Sequence, residues 1–135
     1  MKEFVSQSKE GDYFAIQAFL PYSDIIESSI NNLKRVLRDK FYLAVTSGYG
    51  PRFLHSTGQL HKGDGNKGLF IQFTSDSVND LDVPGKGYSF GTLITAQAQG
   101  DLKALRNSGR RVISIHLSGT LNDQIDYLTS LLNQI

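Results

Sequence analysis

The chain has 135 residues, fourteen basic against thirteen acidic side chains, and no cysteine. That length is one domain, with room for a core that needs no disulfide or metal staple. The near-balance of charge argues against nucleic acid or a membrane surface as an obligatory partner, and the absent thiols remove disulfides, thiolate nucleophiles and zinc–thiolate sites.

The amino-terminal stretch MKEFVSQSKEGDYFAIQAFL has no uncharged run of signal-peptide length, and no later stretch suits a bilayer span. A cytoplasmic protein is therefore expected. Asp12 to Leu20 is rich in aromatic and aliphatic residues between Gly11 and Pro21, which predicts a buried strand. Ile26, Ile30, Leu33 and Leu37 then recur at helical spacing. Ser23 or Asp24 can cap that helix, Asp24 with Glu27 has capping-box spacing, and basic residues gather near its end. Phe41 to Thr46 predicts a second strand and Gly68 to Phe73 a third.

A polar loop follows, then a helical segment from Phe90 that ends near Gly109 as a C-cap. Gly100 lies in its middle, where it either breaks the helix before Asp101 or permits close packing. RRVISIHL predicts a fourth strand. The segment 120–135 predicts a terminal helix with Leu121, Ile125, Leu128 and Leu132 on one stripe. Strands alternating with helices predict a three-layer α/β/α sandwich around a mostly parallel sheet.

One stretch, GYGPRFLHSTGQLHKGDGNKG at 48–68, concentrates polar and turn chemistry: six of thirteen glycines and two of three histidines. It begins just past the second predicted strand, where ligands bind in open α/β sheets. Ser47, Gly48 and Gly50 allow a tight turn, Pro51 suits a first helical turn, and Arg52 stands ready to grip an anion. A plain strand-to-helix connection with a solvated arginine explains the same residues, because glycine turns are weak signals. If 52–62 is one helix, Arg52, His55, Ser56 and Gln59 share a polar face, and Phe53, Leu54, Thr57 and Leu60 face the sheet. His55 and His61 are six apart, which disfavours a joint metal site. Either one suits general acid–base work, or a purely structural role. His116, at the end of the fourth strand, either faces the same crevice or has no role. No serine sits in a nucleophile-elbow pattern, and Asp64 is the only acid between Lys40 and Thr74.

GYGPRFLHSTGQLHKG closely resembles a segment of the fused transaldolase/glucose-6-phosphate isomerase proteins, and GYSFGTLITAQAQGDLKALRNSGRRVISIHL resembles a second segment of them. The resemblance runs along most of the chain, from GDYFAIQAFLP onward. It implies a single flavodoxin-like sugar-isomerase (SIS) subdomain over 1–135, the carboxy-terminal part of a larger isomerase. It implies interconversion of glucose 6-phosphate and fructose 6-phosphate through an enediol, without metal or cofactor. The implied partners are the sugar phosphate, a missing amino-terminal SIS subdomain or transaldolase domain, and further copies of the chain in a homo-oligomer. The Ser/Thr-rich phosphate loop of such enzymes belongs to the first subdomain, so this chain alone is expected to be inactive and to expose an apolar patch or self-associate.

The departures from the resemblance are specific. Conventional glucose-6-phosphate isomerases carry Gly-Glu-Pro-Gly-Thr-Asn-Gly-Gln-His where this chain reads Gly48-Tyr49-Gly50-Pro51-Arg52, so their catalytic glutamate has no counterpart. Their Ile-His-Gln-Gly is matched by Leu60-His61-Lys62-Gly63. Their late lysine falls on Gln97 or Ala96, neither of which is an ammonium. Position and chemistry then single out His55, His61 and Gln59 as catalytic candidates. Ser47, Gly48, Gly50, Arg52, Ser56, Lys62 and Gln97 are the substrate-binding candidates. The alternative is a non-catalytic module that binds phosphosugar or packs against a partner domain.

Overall fold

Two strands rich in apolar side chains occupy the middle of the sheet. β1 (Tyr13–Phe19) and β3 (Gly68–Ser75) are buried along nearly their whole length, as strands covered on both faces must be. β2 (Ala44–Tyr49) and β4 (Arg111–Leu117) are the more exposed edges. All pairings are parallel and the order is β2-β1-β3-β4. The structure, a computed structural model, describes residues 1–134. Ile135, the last residue of the predicted terminal helix, lies outside them.

The helices are α1 (Lys2–Val5), α2 (Asp24–Phe41), α3 (Thr57–Gly63), α4 (Phe90–Asn107) and α5 (Leu121–Leu132), with a 3₁₀ turn at Arg52–His55. α2 and α5 pack on one face of the sheet. There Phe14, Ile16, Leu69, Ile71 and Phe73 meet Ile30, Leu33, Leu37, Ile125 and Leu132 in the main core. α3 and α4 cover the other face, where the apolar clusters are smaller: Ala15, Phe70 and Leu105, and Phe19, Phe53 and Ala98. The chain is thus an α/β/α sandwich around an all-parallel sheet. No helix among the described residues is long and apolar enough to cross a membrane.

Most predicted elements stand, with shifted ends. Ser23 caps α2, its hydroxyl accepting from Ile26 N at 3.2 Å. α2 runs through Phe41 and closes on Tyr42 in the left-handed region, so β2 begins at Ala44 rather than Phe41. α2 takes the first residue of the apolar run that suggested a strand, and its left-handed cap at Tyr42 delays the strand to Ala44. α4 is continuous through Gly100, which is exposed and has open space where a Cβ would stand, so this glycine neither breaks the helix nor serves close packing. Gly109, at φ +69°, follows the α4 cap at Ser108 and turns the chain into β4.

Candidate functional site

The polar stretch after β2 is not one helix. The 3₁₀ turn ends at Ser56, whose backbone (φ −134°, ψ −102°) is not helical, and α3 starts afresh at Thr57. The continuous Arg52–Lys62 helix expected from spacing is therefore divided, and its single polar face with it. The break lets Phe53 turn inward against Phe19, ring centroids 5.5 Å apart. Gly48 and Gly50 make room for that pair. A Cβ on Gly50 would run into the Phe19 ring, and one on Gly48 would press on Phe53 Cβ at 3.2 Å.

The chemistry-bearing residues of the stretch are largely committed to the fold. His61 is buried between Phe53 and Phe70, and its Nδ1 lies 3.1 Å from Gln17 Nε2. Burial holds its pKa below the ordinary imidazole value. Lys62 Nζ sits 2.8 Å from Asp101 Oδ1, an ion pair that ties α3 to α4 with the Asp101 side chain 1% exposed. Asp64 accepts from Asn66 N and Gly68 N at 2.8 Å and from Tyr13 Oη at 3.0 Å, with Arg110 at 3.5 Å. Burial first, then the Asp64 carboxylate, pushes the Tyr13 phenol upward. Ser56 Oγ donates to Phe53 O, and exposed Gln59 donates to Leu54 O at 3.3 Å. Arg52, His55 and Ser47 are exposed, Ser47 on edge strand β2. Gln97, half-buried on α4, keeps an Oε1 with no hydrogen-bond partner among the described residues.

The concave surface lies elsewhere. From β1 the chain steps outward to β2, returns across the sheet to β3, and continues to β4. Ligand crevices form at such a reversal, beyond the carboxyl ends of the strands. A cleft of about 650 Å³ opens there, walled by Phe19 and Leu20 at the end of β1, Ser75 and Asp76 at the end of β3, Leu117 to Gly119 at the end of β4, the loop through Asp80, and the start of α4. Of the ten sequence candidates only Gly50 lines it. Arg52 follows two residues beyond.

A smaller cavity of about 360 Å³ adjoins it, sharing Phe19, Ser75, Asp76, Ile94 and Thr95, and runs between the sheet and α4. Its floor is polar. Gln72 pairs in register with Ser114, and Thr74 with His116. Ser114 Oγ donates to Gln72 Oε1 at 2.9 Å, and Gln72 Nε2 donates to Ala98 O at 3.1 Å. His116 Nδ1 lies 3.1 Å from Thr74 Oγ1, and its Nε2 lies 3.6 Å from Asp76 Oδ1. For His116 the sequence left two readings open. Gln72, Ser114, Thr74 and Asp76 were missed. The available signal was a glutamine and a serine inside runs otherwise fit for strand interiors.

No Lys or Arg lines either cavity, and the charged or titratable groups there are Asp76, Asp80 and His116. Asp80 is partly committed: its Oδ1 accepts from Gly91 N and Leu81 N, at the start of α4. Hydrogen bonding to Ser89 and to these amides lowers its pKa. Val78, Leu81 and Phe90 expose apolar surface at the cleft rim.

Strand order, flanking helices and a crevice at the reversal define a Rossmann- or flavodoxin-like α/β protein. No protein-family model matches the chain, and a search of curated proteins finds no match. Among solved structures it is similar to a hypothetical protein from Thermus thermophilus, with TM-score 0.65 and 17% identity over 89% of this chain. That alignment spans 33% of the Thermus chain, so the present sequence corresponds to about a third of its length. A de novo designed Rossmann fold protein matches over 92% of this chain and 99% of its own, with TM-score 0.51 and 8% identity. At these identities the likeness bears on the fold alone.

Proposed function

We propose that the chain supplies one wall of a phosphosugar aldose–ketose isomerase site, acting on glucose 6-phosphate and fructose 6-phosphate, with the rest contributed by another subdomain or a second copy. The sequence resemblance supports the substrate class. The observation that carries the reading is the set of polar groups in the two adjoining cavities: hydroxyls, amides and carboxylates with a histidine, set among apolar residues such as Phe19, Ile94 and Leu117, and with no cation among the described residues. Such a lining suits the hydroxylated carbon chain of a sugar. A phosphate there would face Asp76 and Asp80 without a countercharge. The phosphate end is therefore assigned to the missing partner, with Arg52 as this chain's nearest candidate. The exposed rim of Val78, Leu81 and Phe90 supports a covering partner.

Titration of the labelled chain with fructose 6-phosphate, followed by amide NMR, tests this. Saturable shifts confined to Ser75–Asp80, His116 and Ser118–Gly119 are expected. Shifts that instead cluster at Ser47–Arg52, or none at millimolar ligand, would count against this placement of the sugar.

A further inference from the structure

We propose that His116 is the group that carries the proton between C1 and C2 of the sugar, with Thr74 as its positioning residue and the Asp76 carboxylate as the charge beside it. This rests on the isomerase reading above. The parallel register places Thr74 beside His116 and Gln72 beside Ser114, on the sheet face that α4 covers. A polar row on a buried central strand displaces the Val, Ile or Phe that packing would favour there. Here the row is organised: the Gln72 amide is satisfied by Ala98 O and Ser114 Oγ, which fixes the floor on which the histidine stands. His116 lines this cavity and is half-exposed beside Asp76, which lines both cavities, so its ring is reachable.

The two ring nitrogens have different surroundings. Nδ1 is at hydrogen-bond distance from Thr74 Oγ1, whereas the 3.6 Å from Nε2 to Asp76 is too long for one. With Thr74 accepting from Nδ1–H, the neutral ring keeps an Nε2 lone pair free on the side of Asp76. The Asp76 carboxylate is close enough to stabilise the imidazolium once a proton arrives. Nε2 takes the C2 proton of the open-chain aldose, and the C2–H electron pair becomes the C1=C2 bond as C1=O becomes C1–O⁻. Nε2 then returns the proton to C1, C2–O becomes the carbonyl, and the O2 proton ends on O1. One hydrogen moves from C2 to C1 and one from O2 to O1, with no oxidant or reductant.

The test is deuterium entry at C1 of fructose 6-phosphate in D2O, followed by proton NMR, with the 135-residue chain at high concentration. At that concentration a second copy can complete the site, and the wild-type chain, inactive when dilute, is expected to exchange this position. His116→Gln is expected to lower the rate about 100-fold or more, with circular dichroism unchanged. Asp76→Asn and Thr74→Val are expected to lower turnover about tenfold with little change in KM. Added imidazole is expected to restore part of the rate of His116→Ala, which a structural role would not allow. Wild-type exchange that persists in His116→Gln overturns the assignment and leaves the isomerase reading standing. Failure of imidazole rescue also counts against His116 as the base. No exchange by the wild-type chain at high concentration overturns the reading in which a second copy completes the site, and the assignment with it.

Discussion

The two histidines of the polar stretch differ by burial, and burial decides what each can do. Above pH 6.5, the ordinary imidazole value, folded and unfolded chains both hold His61 neutral. As pH falls below that, the unfolded chain takes up a proton that the buried ring resists, so stability declines until the lowered folded pKa is passed. Urea unfolding between about pH 7.5 and 5 should show this loss, and His61→Leu should flatten it relative to wild type. Lys62 presents the complementary case. Removing its ammonium leaves the Asp101 carboxylate buried and uncompensated. Lys62→Met should cost about 3 kcal/mol in chemical denaturation, and Lys62→Met with Asp101→Leu should recover much of it. Residues that read as a ligand-gripping cluster are thus the bolts that hold α3 against the sheet and α4.

At the level of elements, caps and breaks explain where the chain turns. The Ser23 hydroxyl satisfies Ile26 N at the start of α2, and Ser23→Ala should lower stability by about 1 kcal/mol. Gly100, exposed within the unbroken α4 and free of neighbours at its Cβ position, gives the opposite expectation. Gly100→Ala should raise the unfolding free energy by about 0.5–1 kcal/mol, read as a higher denaturation midpoint at unchanged m-value. Helix spacing alone joined 52–62 into one helix. It placed Phe53 against the sheet, where the ring is buried beside Phe19, 34 positions away, but it also placed Thr57 and Leu60 there, and the break at Ser56 leaves both exposed. The strand interiors of β1 and β3 were legible as continuous apolar runs. The polar ladder Gln72–Ser114 and Thr74–His116 was not, since it exists only through the register of two separate strands.

For the whole molecule, the two faces of the sheet divide the work. The α2–α5 face holds the large apolar core, and Phe14, fully buried there, carries much of it. Phe14→Ala should cost about 3–5 kcal/mol, enough to threaten folding of a domain this size. The α3–α4 face is thinner and carries the polar groups and both cavities. The apolar rim of the cleft has a molecular consequence. Sedimentation velocity should show concentration-dependent association, reduced by Leu81→Glu; a clean monomer at all concentrations would weaken the expectation of a covering partner.

Composition, periodicity and turn residues by themselves determined that this is an alternating α/β chain, which residues face the core of α2 and α5, and roughly where each strand lies. Those properties are local, because helix and strand periods repeat within a few residues. The location of the concave site was decided only by the tertiary structure. Strand order places the reversal between β1 and β3, burial of His61, the Lys62–Asp101 ion pair and the hydrogen bonds of Asp64 commit those residues to the scaffold, and parallel pairing brings Thr74 within 3.1 Å of His116 across 42 residues of sequence. A polar side chain reads the same in sequence whether it faces a cavity or satisfies a buried neighbour, and only the packing around it separates the two.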